Sequence, residues 1–482
     1  LNEEWKYYYD SGSCFVNIST FYSVMRHIHF DIATVLETSS NIDVTAALWS
    51  YAAVDVYCNG RLEGALKQPV YKPIQKKELT LHLKAGRNLI YLACENLGVR
   101  DTRSVAGLQI LNHKDEIKVS IPDEACADAA AVAEAFLESA RLESNKLCFD
   151  SPAPAGTSYT YRYHEEDFAK AKIPAVWYQA EGKNEILLEN GQPYVTVKVV
   201  SGKLELKRVF ERTEQLVPKY ALREDGSAFS FEENKELIFR RIADVMSESR
   251  GEKFGFPISN ILARKHFNDN SMDDERLMYE MLEMIEERYD CSDFLMCGLI
   301  RYLHNYPVEG AMKERIKDVM INYRYWMDMD GFDGMCFWSE NHALMFYTCA
   351  MNAGEMYPDE YFPRAKMTGR ELHLYGRNKV LQWLDDVEEY GFEEFLSTVY
   401  MCVTFAALIN VVDYSEPEIS KRAAAVTDKM LSMLALHTYK TGIVAPMGRV
   451  YRSVLYPFDQ GAMALMNLIN PKLPYTFGEG WL

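Results

Sequence analysis

Apolar and polar residues alternate along the first part of the chain. The stretch 42–60, IDVTAALWSYAAVDVYCNG, alternates and then breaks at Asn59-Gly60, a hairpin-turn signal. The stretch 79–96, LTLHLKAGRNLIYLACEN, repeats the pattern around Ala85-Gly86. Short strands at this spacing predict a β-sandwich over residues 1–122. An Ala-rich run, 123–148, predicts a connecting helix, and SPAPAGTS at 151–158 reads as a linker, so 123–158 joins two domains. Strand signals return in AVWYQA, EILLENG, YVTVKVVSG and KLELKRVFER, predicting a second, small β-sandwich over 159–225.

From about Phe229 the apolar period becomes helical, assigning 226–482 to helices. Residues 277–289, 310–326 and 416–436 are amphipathic, the last with Ile419, Ala423, Val426, Met430 and Met433 on one stripe. Between them lie segments apolar nearly all round: 294–303, 343–351 and 399–409. A helix without a polar face is surrounded by protein, so the alternation predicts an inner and an outer layer. The fold class is multidomain β plus α, with about nine helices after residue 229.

Composition narrows the function. A formal charge of −18 argues against nucleic acid, whose phosphates it repels. No run of about 18 apolar residues exists to span a bilayer. Ten cysteines without a CxxC pair, several in apolar helical runs, read as reduced thiols. With these thiols and no basic n-region or apolar h-region at LNEEWKYYYD, the expectation is a cytoplasmic protein, a processed secreted form being the alternative that the missing Met leaves open. No phosphate-binding glycine loop, HExxH, GxSxG or dinucleotide fingerprint is present, so no cofactor is predicted.

The chemistry concentrates between Tyr323 and His342, YRYWMDMDGFDGMCFWSENH. Carboxylates beside flat aromatic faces suit a protein that grips a sugar ring. Asp328, Asp330 and Asp333 fail EF-hand spacing and read as a solvated turn. His27 and His29 share one strand face, but no third ligand is evident and no metal is predicted.

VDVYCNGRLEG and LKAGRNLIYLACENLGVRDTRSVAGLQI resemble the jelly-roll domains that accompany many carbohydrate-active enzymes. The layered helices resemble the (α/α) toroids of six-hairpin glycosidases and several polysaccharide lyases. In such a toroid the N-termini of the inner helices meet at one mouth. Three polar clusters fall there: Asp290-Cys291-Ser292-Asp293-Phe294, Trp338-Ser339-Glu340-Asn341-His342, and Gly391-Phe392-Glu393-Glu394-Phe395 followed by Ser397 and Tyr400. Ser339 and Asp293 are equally good helix caps. RYDCSDF, YRYWMDMDG, FWSENH, TGRE, GFEEFLSTVY and GRVY also resemble landmarks of a large, mostly uncharacterised family of bacterial and fungal proteins that pairs β-sandwich modules with such a toroid. This chain departs from that family's pattern at Pro446-Met447, where a His often precedes the Gly-Arg.

The expectation is a glycoside hydrolase-like enzyme acting on a carbohydrate. Glu340 would be acid or nucleophile, and Glu394 or Asp293 its carboxylate partner. Trp326, Trp338 and Tyr400 would supply stacking faces, with Arg449, Tyr451 and Asp290 contacting substrate. The alternative is a polysaccharide lyase in which Asn341 and Arg449 neutralise a uronate, His342 abstracts the proton and Tyr400 protonates the leaving oxygen. A non-catalytic sugar-binding protein is the third reading. The sequence leaves the oligomeric state open.

Overall fold

The computed structural model describes residues 5–9, 14–20, 22–100, 102–163, 177–180, 184–189, 194–212, 220–244, 257–270, 273–440, 442–450 and 461–474. The chain divides into two compact units, Leu1–Leu216 and Val217–Leu482.

The first unit begins with two antiparallel sheets. One has the order Arg61–Leu66, Ala53–Cys58, Gly86–Arg100, Tyr22–Thr38, Lys118–Ser120. The other runs Val16–Asn17, Val105–Ile110, Ile42–Ser50, Gln75–Leu83. Period-two alternation sends Val54, Val56, Ile90 and Leu92 of the first sheet, and Val44, Ala46, Leu48 and Leu81 of the second, into one core. Asn59 and Gly60 make the hairpin turn with positive φ, as the Asn-Gly signal requires.

The Ala-rich segment departs from expectation. Helix α1 (Glu124–Glu138) is shorter than the run, and Arg141–Glu143 pairs with Lys146–Cys148 as a hairpin. Ser144 enters the left-handed region at the turn between them, where Ser144-Asn145 offers the chain a turn and no helix. Nor is α1 a mere connector. Its Ala130, Ala133, Phe136 and Leu137 share a core with Tyr159, Val195, Val197, Val199 and Leu206 of the sheet Tyr178–Gln179, Ser158–Arg162, Tyr194–Ser201, Leu204–Glu211.

The second unit contains ten helices among the described residues. They are α2 (Phe231–Asp244), α3 (Pro257–His266), α4 (Asp274–Glu286), α5 (Ser292–Asn305), α6 (Gly310–Asn322), α7 (Glu340–Met356), α8 (Gly369–Tyr390), α9 (Tyr400–Tyr414), α10 (Pro417–His437) and α11 (Ala462–Ile469). Helices α5, α7, α9 and α11 are buried on most of their surface, whereas α6, α8 and α10 bury one stripe. The buried helices contact one another in sequence, α3 to α5, α5 to α7, α7 to α9 and α9 to α11. The half-buried helices back them, α8 on α7 and α10 on α9. Close approach of α7 to α8 depends on glycine: a Cβ on Gly376 would meet the Met351 amide nitrogen at 2.4 Å and the Tyr347 carbonyl at 2.7 Å. No helix among the described residues is long and apolar enough to cross a membrane.

Candidate active site

The helical unit brings together the head of α5, the head of α7 and the turn preceding α9. The third cluster does not itself open a helix. Residues 393–396 form a turn and α9 starts only at Tyr400, with Ser397 N–H donating to the Glu394 carbonyl at 2.9 Å. Neither expected side-chain cap forms. Ser339 occupies the N-cap of α7 without capping it, and Asp293 lies inside α5.

Capping of α7 comes instead from Glu394, 53 residues away. Its Oε2 accepts from the Asn341 amide at 3.2 Å and from Asn341 Nδ2 at 2.6 Å. Glu340 returns the contact. Its two oxygens accept the backbone N–H groups of Glu393 and Glu394 at 2.9 and 3.0 Å. Each carboxylate thus satisfies orphan amides of the other's segment. Arg449 completes the group, donating to Glu394 Oε1 at 2.9 Å while its guanidinium lies 3.9 Å from the centroid of the Tyr400 ring. Gly448 makes this approach possible, since a Cβ there would stand 2.4 Å from the Glu393 carbonyl oxygen.

Glu340 is 7 % exposed and Glu394 5 %. Burial pushes the Glu340 carboxyl up from an ordinary 4.5 to about 7. The two amide N–H bonds pull it down, and the Glu394 and Glu393 charges push it further up. Protonating a Glu340 oxygen weakens the hydrogen bond that oxygen accepts but removes a buried charge, and the raised value means that the second effect is the larger.

Adjacent residues on α7 face different carboxylates. Asn341 meets Glu394, whereas His342 Nδ1 lies 2.7 Å from Asp293 Oδ2, in a pair whose side chains are 3 % and 1 % exposed. Burial alone disfavours the imidazolium, but the Asp293 charge and hydrogen bond outweigh it and hold His342 well above the usual histidine range. The ring stacks on Phe294 at 4.9 Å. Its Nε2 is 4.0 Å from the Cys291 thiol, which burial pushes up to about 12.

Among the other candidates, Asp290 is buried and accepts the Cys336 amide at 3.2 Å. Trp326 packs against Phe337, Phe346 and Tyr347, while Trp338, two positions before Glu340 in the chain, is 69 % exposed. Tyr451 lies outside the described residues. The turn 328–334 is not simply solvated: Asp333 is ion-paired to both Arg288 and Arg324 at 3.2 Å. Sequence reasoning missed Cys291 and Cys336 beside His342, although Cys291 stands between two singled-out aspartates. It also missed Gly448, for which the glycine preceding Arg449 was the available signal. Two surface depressions of about 500 and 520 Å³ lie away from these residues, one near Tyr220 and Lys472, the other along α4.

No family profile and no curated protein matches the sequence. Among solved structures, a family 35 carbohydrate-binding module from an environmental isolate matches at 20% identity and a TM-score of 0.15, over 21% of this chain and 75% of that one. A family 78 rhamnosidase from Bacillus matches at 12% identity and a TM-score of 0.33, over 85% of this chain and 58% of that one. A β-D-glucuronidase from Dictyoglomus thermophilum matches at 10% identity and a TM-score of 0.11, over 62% of this chain and 70% of that one. These likenesses are too slight to define the fold or the chemistry.

Proposed function

We propose that the helical unit is an (α/α) toroid and that the protein is a glycoside hydrolase-like enzyme cleaving a glycosidic bond in an oligo- or polysaccharide. The observation that carries this reading is the unequal pair at the head of α7. Glu340 is pushed up to about 7, whereas Glu394 is ion-paired to Arg449 and bonded to Asn341. A carboxyl raised toward neutral pH suits a general acid, and a second carboxyl held by an arginine beside it suits its partner across a glycosidic bond.

In this reading protonated Glu340 donates to the glycosidic oxygen, and Glu394 is the opposing carboxylate. Trp338 supplies a stacking face, and Arg449 with Tyr400 positions Glu394. Both carboxyls are nearly buried, so substrate entry requires the 393–397 turn to move from α7. The Asp293–His342 pair anchors α7 to α5 beneath the site. A lyase is less well supported, because the Asn341 amide and the Arg449 guanidinium that would neutralise a uronate already bind Glu394.

The test incubates the full chain with neutral and uronate-containing oligosaccharides. Reducing ends without the ultraviolet absorbance of a 4,5-unsaturated sugar are expected, and they should disappear in folded Glu340→Gln and Glu394→Gln variants. Unsaturated products would replace this reading with a lyase. Saturable binding without turnover would make the protein a sugar-binding one.

A further inference from the structure

We propose that His27, His29 and Glu95 form a binding site for a divalent transition metal of the zinc class on the outer face of the first sheet. The three ligands come together through strand register. His27 and His29 are two apart on Tyr22–Thr38, and antiparallel pairing sets His29 directly opposite Glu95 on Gly86–Arg100. Directly opposed residues of an antiparallel pair share a face, so a carboxylate 66 positions further along the chain than His29 becomes the third ligand.

The three side chains already meet, through different nitrogens of His27, of which an ion would take one. His29 Nε2 lies 3.1 Å from His27 Nδ1, and His27 Nε2 lies 2.6 Å from Glu95 Oε1. One ligand atom from each residue falls within 4.8 Å of the other two. Tetrahedral zinc with bonds of about 2.0–2.1 Å spaces its donors about 3.3 Å apart, within reach of small rotations of these exposed side chains. Two imidazoles and one carboxylate suit zinc, nickel or copper, whereas calcium and magnesium favour all-oxygen sets. Three protein ligands leave a coordination position open to water or an oxygen-bearing ligand.

The backbone beneath is well supported. Glu95 sits on an interior strand, paired on its far side with Ala53. Ile28, between the two histidines, points the other way and packs so tightly on Gly98 that a Cβ there would meet it at 2.6 Å. Asp31, the next outward residue on the same strand, adds negative charge that favours a cation.

The test titrates the full chain, with its thiols kept reduced, with Zn²⁺, Co²⁺ and Ca²⁺. One equivalent of Zn²⁺ is expected to bind. Co²⁺ should show weak visible bands without sulfur-to-metal charge transfer, and Ca²⁺ should bind far more weakly. His27→Ala, His29→Ala and Glu95→Ala should each reduce Zn²⁺ affinity about tenfold or more. His82→Ala serves as the control, because His82 pairs with Glu63 at 2.9 Å outside this trio. Unchanged affinity in His29→Ala, cobalt bands of thiolate character, or no Zn²⁺ uptake by the wild-type chain would each overturn the proposal.

Discussion

Two histidine–carboxylate pairs in this protein have nearly the same length and opposite surroundings. His27 and Glu95 meet at 2.6 Å on the sheet face, with side chains 57 % and 55 % exposed. His342 and Asp293 meet at 2.7 Å, at 3 % and 1 %. Distance therefore says little about what either pair does. Water screens the first, whose worth as an ion pair is about 0–1 kcal/mol, so its residues are free to exchange partners. In the second, each partner is the other's replacement for lost water, and removing one strands a buried charge. The exposed pair is suited to a ligand, and the buried pair to holding two helices in register.

The widest separation between the two should appear in stability. Asp293→Ala is expected to cost the helical unit about 3–5 kcal/mol in its denaturant-unfolding transition. Glu95→Ala should cost the sheet unit under about 1 kcal/mol. Equal losses would break the comparison.

A pH series sharpens it further. Glu340 has a folded value near 7 against an ordinary 4.5, so the native state binds the proton more tightly than the unfolded chain. Stability should accordingly fall as pH rises from about 4.5 to 7, by up to about 3 kcal/mol from this group. Urea midpoints across that range should show the slope in the wild type and its loss in Glu340→Gln. His342 is also raised. Its contribution is fully present below its unfolded value and is lost only as pH climbs through the higher folded one, so the two groups titrate in different windows.

Backbone packing provides a smaller effect. Gly448→Ala places a methyl 2.4 Å from the Glu393 carbonyl and 2.9 Å from the Phe395 amide nitrogen. It should cost about 1–3 kcal/mol by overpacking, measurable by thermal melting, and should draw Arg449 from Glu394. Smallest of all, His27→Ala should shift metal-free stability by no more than about 0.5 kcal/mol. A larger loss would mean that the exposed cluster is structural.

Much of this was legible in the chain, and the limits have a common cause. Period-two alternation located the strands at 42–58 and 79–96, because each residue's face follows from local geometry. Helices apolar all round were found for the same reason, as was the start of α7 at Glu340. TGRE, quoted only as a family landmark, has a local explanation: Thr368 and Glu371 form a capping box on α8. Overextension of the Ala-rich helix came from weighing propensity above the turn at Ser144-Asn145. The contacts between distant segments were not legible. Glu340 meets the Glu394 amide across 54 positions and His27 meets Glu95 across 68. Ser339 looked like a cap because Ser usually is one, yet a carboxylate from another turn had taken its place.

The most direct test of the acid assigned to Glu340 is a pH–rate profile of reducing-end release from a cleaved oligosaccharide, run in parallel on wild type and folded Glu340→Gln. Wild-type activity should decline above about pH 7 as Glu340 loses its proton. The variant should be slower by about 100-fold or more on the acidic side. A variant that melts like wild type and matches its rate at every pH would contradict the account and leave Glu340 as no more than a clasp between α7 and the turn before α9.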